Sequence, residues 1–190
     1  MALFTGKGDG GTTKVLDSKE RISKASALPE CLGTLDELNS YVGFAKVRAV
    51  GEHDPAVEID GKKEKTSEIL REVQEQLFIV QAEVAGSDKR VAEDRTSWVE
   101  VRVNEIEKVM PPITTFTISG GTELSAILDV ARTIARRAER RVVGIEELGL
   151  RELSPEAKSF MNRLSSLLFA LARLANTHAG IERESPSYRS

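Results

Sequence analysis

Apolar residues recur every three or four positions through most of this chain, and that spacing predicts helices. Leu35, Leu38, Val42, Ala45 and Ala49 make one stripe, which gives a first helix over Gly33–Ala49. Ile69, Val73, Leu77, Val80 and Val84 make a second, over about Ser67–Ala85. A third helix starts at Ser97, read as its cap, and ends near Val109, where Pro111 and Pro112 block continuation. Leu124, Ile127, Leu128, Ala131, Ala135, Ala138 and Val142 predict a fourth helix over Thr122–Glu147, with Gly149 as its stop. Phe160, Leu164, Leu167, Leu171 and Leu174 predict a fifth, opened by Ser154-Pro155-Glu156 and closed near His178 and Gly180.

Between the stripes the period breaks. Residues 1–32 are rich in Gly, Thr and Lys and read as an ordered loop or short extended segment. Residues 51–65 and 86–95 read as polar surface connections, and 113–121 as a mixed apolar loop closed by two glycines. Residues 181–190 read as a loose tail. Five helices joined by short loops predict an all-α, up-and-down five-helix bundle. The expected organisation is one domain over 1–190, with an N-terminal loop (1–32), the bundle (33–180) and the tail (181–190).

The polar faces carry the candidate chemistry. The fourth helix holds Arg132, Arg136, Arg137, Arg140 and Arg141 around a single Glu139. At about 100° per residue, Arg132, Arg136, Glu139 and Arg140 fall within roughly a third of the circumference. Guanidiniums on one stripe repel each other unless something anionic sits among them. A polyanion or a carboxylate from another subunit would answer that need; a solvated basic face is the plainer alternative. The formal net charge of −3 makes general nucleic-acid affinity unexpected, so an anion site has to be a local concentration of Lys and Arg. The single cysteine, Cys31, sits among apolar neighbours, is expected in the core, and suits a reducing, cytoplasmic setting. His53 and His178 with one cysteine do not make a protein-ligated zinc site. No apolar run approaches the length of a membrane span, and no secretory leader pattern opens the chain.

Four further segments stand out. Thr5-Gly6-Lys7-Gly8-Asp9-Gly10-Gly11-Thr12-Thr13-Lys14 combines glycines, hydroxyls and cations, which suits phosphate, although its spacing is not that of a P-loop. A flexible tail is the alternative there. Lys24 is a further nearby cation. In Gly33-Thr34-Leu35-Asp36-Glu37-Leu38-Asn39-Ser40, Asp36 lies off the apolar stripe, where it could simply complement a helix N-terminus. In the fifth helix Asn162, Ser166, Phe169 and Arg173 share the non-core side, which suggests a pocket or a subunit contact. Phe116, in the loop Thr114–Gly121, is either a binding element or a core plug.

In this order, TGKGDGGTT, GTLDELNS, SGG, ARTIARRAER and NRLSSLLF resemble the PduO-type cob(I)alamin adenosyltransferases, over about Thr5–Thr177. The resemblance implies a ferritin-like five-helix bundle assembling as a homotrimer, with ATP between adjacent subunits and the corrinoid beside it. It implies that Thr5, Gly6, Lys7, Gly8, Thr13, Lys14 and Lys24 wrap the triphosphate. Arg136, Arg137, Ala138, Glu139, Arg140 and Asn162 would contact ATP from the partner subunit. Asp36 would pair with Arg132 across the interface, Phe116 would displace the lower axial ligand of cobalamin, and Phe169 would line the corrinoid pocket. Lys7, Arg136 and Phe116 would carry the catalytic tasks. Lys7 stands where the family usually has a second threonine, Ser119 where proline is common, and Ser166 where aspartate is common.

The implied reaction transfers the 5′-deoxyadenosyl group of ATP to cob(I)alamin and releases triphosphate, with Mg²⁺ accompanying the nucleotide. A reductase and a B12-dependent acceptor enzyme are possible partners, and neither nucleic acid nor a membrane is expected. Two rivals remain at this point: a non-catalytic corrinoid or ATP carrier or sensor, and a nucleic-acid-binding bundle using Arg132–Arg141.

Overall fold

Helix α1 (Ala27–Ala49) starts six residues before the expected Gly33. Leu28 and Cys31 extend the Leu35–Leu38–Val42 stripe backwards into the core. Pro29 does not prevent this, because the first turn of a helix has no intrahelical use for its N–H groups. Gly33 and Thr34 are therefore interior helical positions. The computed structural model describes residues 3–16, 20–51 and 54–188. His53 and the last two tail residues lie outside that set.

The other helices are α2 (Thr66–Val84), α3 (Asp94–Lys108), α4 (Glu123–Glu147) and α5 (Pro155–His178). The opening expected of α5 forms, with Ala157 N–H donating to Ser154 Oγ at 3.2 Å, and Thr122, the expected start of the fourth helix, proves to be the cap of α4, its Oγ1 accepting from Ser125 N–H at 3.1 Å. In contrast, α3 begins at Asp94, three residues before Ser97, without a side-chain cap.

Contacts between side chains fix the directions. Arg48 meets Glu123, Arg137 meets Glu37 and Arg141 meets Glu30, so α1 and α4 run antiparallel. Glu146–Lys158 at one end and Thr122–Asn176 at the other make α4 and α5 antiparallel. Arg151 and Ser154 bond the C-terminal end of α2, which sets α2 against α5, while Glu100–Arg163 and Pro111–Arg173 align α3 with α5. The chain is thus an up-and-down bundle of five helices. α4 packs between α1 and α5, α2 covers α1, and α3 covers α5. Its core runs from Leu28 to Leu174 and includes the wholly buried Phe160, Leu128 and Met161.

Two small antiparallel sheets make the description "all-α" approximate. β1 (Thr12–Lys14) pairs with β2 (Arg21–Ser23), so part of the N-terminal segment is a hairpin. β3 (Ala56–Ile59) and β4 (Lys62–Lys65) form a second hairpin within what the polar composition suggested was a plain surface connection. Asp60 and Gly61 have φ of 50° and 74°, the left-handed pair that a two-residue hairpin turn requires. Glu64 of this hairpin bonds Arg102 of α3 at 2.9 Å, and Arg102 lies 3.9 Å over the Trp98 ring.

The C-terminal segment is not loose. Ile118 N–H donates to Glu184 O at 2.8 Å, and Arg183 is buried against α4. A charged side chain with a buried carboxylate partner is what docks it. No helix among the described residues is long and apolar enough to cross a membrane.

Candidate functional site

The glycine-rich segment folds into successive tight turns. Asp9 N–H donates to Gly6 O at 3.1 Å and Gly11 N–H to Gly8 O at 3.1 Å, with Gly6 and Gly11 at φ of 69° and 76°. Lys24 N–H donates to Gly11 O at 2.9 Å, and its Nζ would lie 3.0 Å from a Cβ added at Gly8. Thr5 Oγ1 accepts from Lys7 N–H at 3.4 Å, and Thr13 stands in β1 opposite Ile22. Lys7, Lys14 and Lys24 form no ion pair among the described residues. The segment is therefore a cationic loop with close backbone approach, suited to an anion of several charges.

Arg21 organises it. Its Nε donates to Thr12 Oγ1 at 2.8 Å, and its Nη2 donates to Lys7 O and Thr12 O, each at 2.6 Å. Three acceptors on one planar cation hold the two sides of the loop at a fixed separation. Nothing in the local sequence pattern singled out Arg21.

On α4 the arginines divide. Arg137 is ion-paired to Glu37 and Arg141 reaches Glu30 at 3.4 Å, both within the chain. Arg136 and Arg140 have no carboxylate partner among the described residues; Arg140 Nη1 instead donates to Arg136 O at 3.0 Å. Beside them Asn162 Nδ2 donates to Glu139 Oε1 at 2.8 Å, which joins α5 to this face. Arg136, Glu139 and Arg140 line one shallow concavity with Val143 and Glu147. Ala138, expected in this group, is wholly buried in the core; its methyl packs between helices and cannot touch a ligand.

Asp36 is exposed on α1, and Ser40, Phe44 and Val47 follow at helical spacing on the same face. Neither Asp36 nor Arg132 has an ion-pair partner among the described residues. The Arg132 Nε is buried without a hydrogen bond, and its guanidinium carbon lies 5.9 Å from the Phe169 ring centre.

Phe116 is not a core plug: it is 81% exposed, at the crest of its loop. Its neighbours, residues 111–115 and Thr117, the C-terminal half of α5 and the tail line a cavity of about 330 Å³ that also takes in Phe169, Arg173 and Asn176, while Phe116 itself does not line it. Arg173 donates to Pro111 O, and burial pulls its guanidinium pKa downward, opposed by Glu107 and assisted by Arg183. The Gly120-Gly121 turn is held by Asn176, whose Oδ1 accepts from Thr122 N–H at 2.8 Å and whose Nδ2 donates to Gly120 O at 2.8 Å. Asn176 continues the core series Phe160–Leu164–Leu168–Ala172 in steps of four, so a polar residue at an apolar phase was its available signal. Burial pushes the Cys31 thiol up to about 12, with Arg141 opposing, which leaves it an inert core group at neutral pH.

A family model for cobalamin adenosyltransferase matches residues 3–175. A corrinoid adenosyltransferase of Bacillus subtilis is 34% identical over 185 residues, covering 95% of this chain and 90% of that protein. The corrinoid adenosyltransferase PduO of Salmonella typhimurium is 32% identical over 94% of this chain, which spans 51% of that longer protein. The chain belongs to the cobalamin adenosyltransferase family. Among solved structures, a variant PduO-type ATP:corrinoid adenosyltransferase from Lactobacillus reuteri complexed with cobalamin and ATP superposes with a TM-score of 0.84. It is 29% identical, with 98% of this chain and 97% of that one covered. A second variant of the same enzyme, complexed with ATP, gives 0.82 at 31% identity, over 98% of this chain and 100% of that one.

In this family member the two loops lie at opposite ends of the bundle. The β1–β2 hairpin packs near Leu28, Leu150 and Arg151, at the turn between α4 and α5. The Phe116 loop packs on Thr122, Asp129 and Asn176, at the other end of α4. The rise of an α-helix puts the two ends of α4 roughly 35–40 Å apart. One copy therefore does not bring its glycine loop and its Phe116 loop to the same small molecule.

Proposed function

We propose that the protein transfers the 5′-deoxyadenosyl group of ATP to cob(I)alamin, giving adenosylcobalamin and triphosphate. The observation that carries this is a likeness over nearly all of this chain to corrinoid adenosyltransferases, including one complexed with cobalamin and ATP, together with Arg136 and Arg140, which have no carboxylate partner among the described residues. The opposite-end positions of the two loops support a site completed between subunits of a homotrimer. In it the glycine loop of one copy would meet the α4–α5 face of another.

The chemistry requires no protein nucleophile. The Co(I) electron pair forms the new cobalt–carbon bond at C5′, the C5′–oxygen bond breaks, and its electrons leave with triphosphate. The protein's tasks are to align C5′ with cobalt and to stabilise charge growing on the leaving group. Thr5, Gly6, Lys7, Gly8, Thr13, Lys14 and Lys24 would cradle the triphosphate by backbone N–H, hydroxyl and ammonium donors. Arg136 and Arg140 would meet it from the partner's α4, and the Asn162–Glu139 bond would hold the polar edge of that face. Arg137, engaged by Glu37, would serve mainly to brace α1 on α4. Asp36 of one copy would pair with Arg132 of the next.

Among the described residues no group of three or more His, Cys, Asp or Glu side chains is gathered for a metal. A Mg²⁺ ion arriving with ATP would thus take its oxygens chiefly from phosphate and water. On the corrinoid side, the exposed ring of Phe116 and the ring of Phe169 would offer an apolar surface where a polar lower ligand is poorly solvated, favouring its loss before reduction to Co(I). A reductase would supply the electron and a B12-dependent enzyme would receive the product, in a cytoplasmic setting. The domain organisation we propose is a single unit of ATP-binding hairpin, bundle and docked C-terminal segment.

The test is an anaerobic spectrum of purified protein with chemically reduced cob(I)alamin and Mg-ATP. Protein-dependent loss of the Co(I) band with formation of a light-sensitive alkylcobalamin and triphosphate is the expected result. ATP binding without triphosphate release would favour a carrier or sensor and overturn the proposal.

A further inference from the structure

Arg183 lies five residues beyond the last helix, yet its side chain is 7% exposed and its partner Asp129 5%. Its Nη2 donates to Asp129 Oδ2 at 2.8 Å and to Ser125 Oγ at 2.7 Å. Those two side chains in turn hold the two backbone groups of one glycine. Asp129 Oδ2 accepts from Gly120 N–H at 3.0 Å, and Ser125 Oγ donates to Gly120 O at 3.0 Å. The guanidinium carbon of Arg183 also sits 5.5 Å from the centre of the Phe169 ring. Two further links follow along the chain: Ile118 N–H to Glu184 O at 2.8 Å, and the Thr115 and Ser185 hydroxyls at 3.0 Å. The C-terminal segment thus runs beside the loop that carries Phe116, and together they close the cavity above Phe169.

A buried ion pair is a poor device for stability alone, because a well-packed apolar pair of the same volume does as well or better. What it supplies here is geometry. One planar cation, seated by a carboxylate and a hydroxyl, fixes the Gly120 turn from which the Phe116 loop departs. We propose that Arg183 is a positioning residue: through Asp129 and Ser125 it sets the Gly120 turn, and so fixes how the Phe116 loop stands over the corrinoid. The role rests on the adenosyl-transfer function proposed above.

The test compares Arg183→Met, Arg183→Lys and the milder Ser125→Ala. Ser125→Ala removes the hydroxyl linking Arg183 to Gly120 but leaves the ion pair in place. With ATP saturating, Arg183→Met is expected to raise the corrinoid KM about tenfold or more, as loss of a charge-assisted pair implies, while the ATP KM stays within about twofold. Arg183→Lys should recover most of that loss, and Ser125→Ala should show a smaller shift of the same sign. Amide exchange at Gly120 and Ile118 should quicken in Arg183→Met. Unchanged exchange at those amides, or corrinoid and ATP KM values that move together with a falling thermal midpoint, would overturn the positioning role. If the unsubstituted protein forms no adenosylcobalamin, the function fails and the corrinoid clause falls with it. Exchange at Gly120 then still decides whether Arg183 holds the loop.

Discussion

Gly121→Ala tests how rigidly the loop under Phe116 is tied to the bundle. Gly121 has a φ of +103°, a conformation that residues with a Cβ rarely adopt. A Cβ there would come within 2.5–2.7 Å of the Asn176 amide group, so Asn176 would have to move. Moving it breaks its bonds to Thr122 N–H, Thr122 Oγ1 and Gly120 O. The backbone strain is of order 1–3 kcal/mol, and each lost bond about 0.5–1.5 kcal/mol. Together the cost should be about 3–7 kcal/mol, enough to threaten a domain with a marginal 5–15 kcal/mol of stability. Urea unfolding measures it. Asn176→Ala alone should lose only the hydrogen-bond share, and adding it to Gly121→Ala should relieve the clash, so the double variant should be less destabilised than the two singles combined. A loss below about 1 kcal/mol for Gly121→Ala, or strict additivity in the cycle, would refute the close approach as a structural constraint.

Arg136→Ala should cost about 1.5–3 kcal/mol of charge-assisted bonding to ATP, roughly ten- to 150-fold in the ATP-dependent rate parameter, and a change below about twofold in steady-state kinetics would remove it from the site. Arg21→Met should raise the ATP KM about tenfold without changing corrinoid affinity, because it loosens the loop and touches no ligand; isothermal titration with ATP checks this. Asp36→Ala should leave the fold intact yet weaken assembly by about 3–5 kcal/mol per interface, seen as dissociation with dilution in sedimentation velocity. Cys31, protonated in the fold up to about 12, should resist alkylation at pH 8 until the chain unfolds. Since folding raises its pKa, its contribution to stability is intact below the ordinary thiol range and declines as pH climbs from there toward 12, a loss that Cys31→Ala should remove from an alkaline unfolding series.

Helices were legible wherever a long apolar stripe met recognisable ends. α4 and α5 have buried stripes bounded by Thr122 and Ser154, and both residues cap as their chemistry suggests. α1 was misplaced at its start because Pro29 and Gly33 look like breaks, although the core phase of Leu28 and Cys31 passes through them. α3 buries only Val99 and Ile106 as core residues, so its stripe was too thin to locate its first turn. The Asp60-Gly61 pair was a readable hairpin signal hidden in a polar stretch. On the candidate site, the arginine motif announced itself by composition. Arg21 and Arg183 did not, since each acts on groups nine to 58 residues away and nothing local marks them.

α4 links these observations to assembly. Its arginine concavity, formed by Arg136, Glu139, Arg140, Val143 and Glu147, occupies the C-terminal half of the helix, and no residue of either loop lines it. A nucleotide spanning from triphosphate to C5′ covers only part of the roughly 35–40 Å between those ends. On the function proposed above, triphosphate donors, arginines and the Phe116 surface would gather around one ATP–corrinoid pair by drawing on the glycine loop of a second copy. The face of α1 that carries Asp36, Ser40, Phe44 and Val47 is suited to that contact, since it offers exposed apolar area beside an acidic group with no partner among the described residues. It follows that dissociation into monomers should abolish adenosyl transfer even when every bundle remains folded. Mixing an Arg136→Ala copy with a Lys7→Ala copy should then restore activity in the mixed oligomer, because some interfaces would pair an intact glycine loop with an intact arginine face. Absence of any recovery in mixed assemblies would refute a shared site.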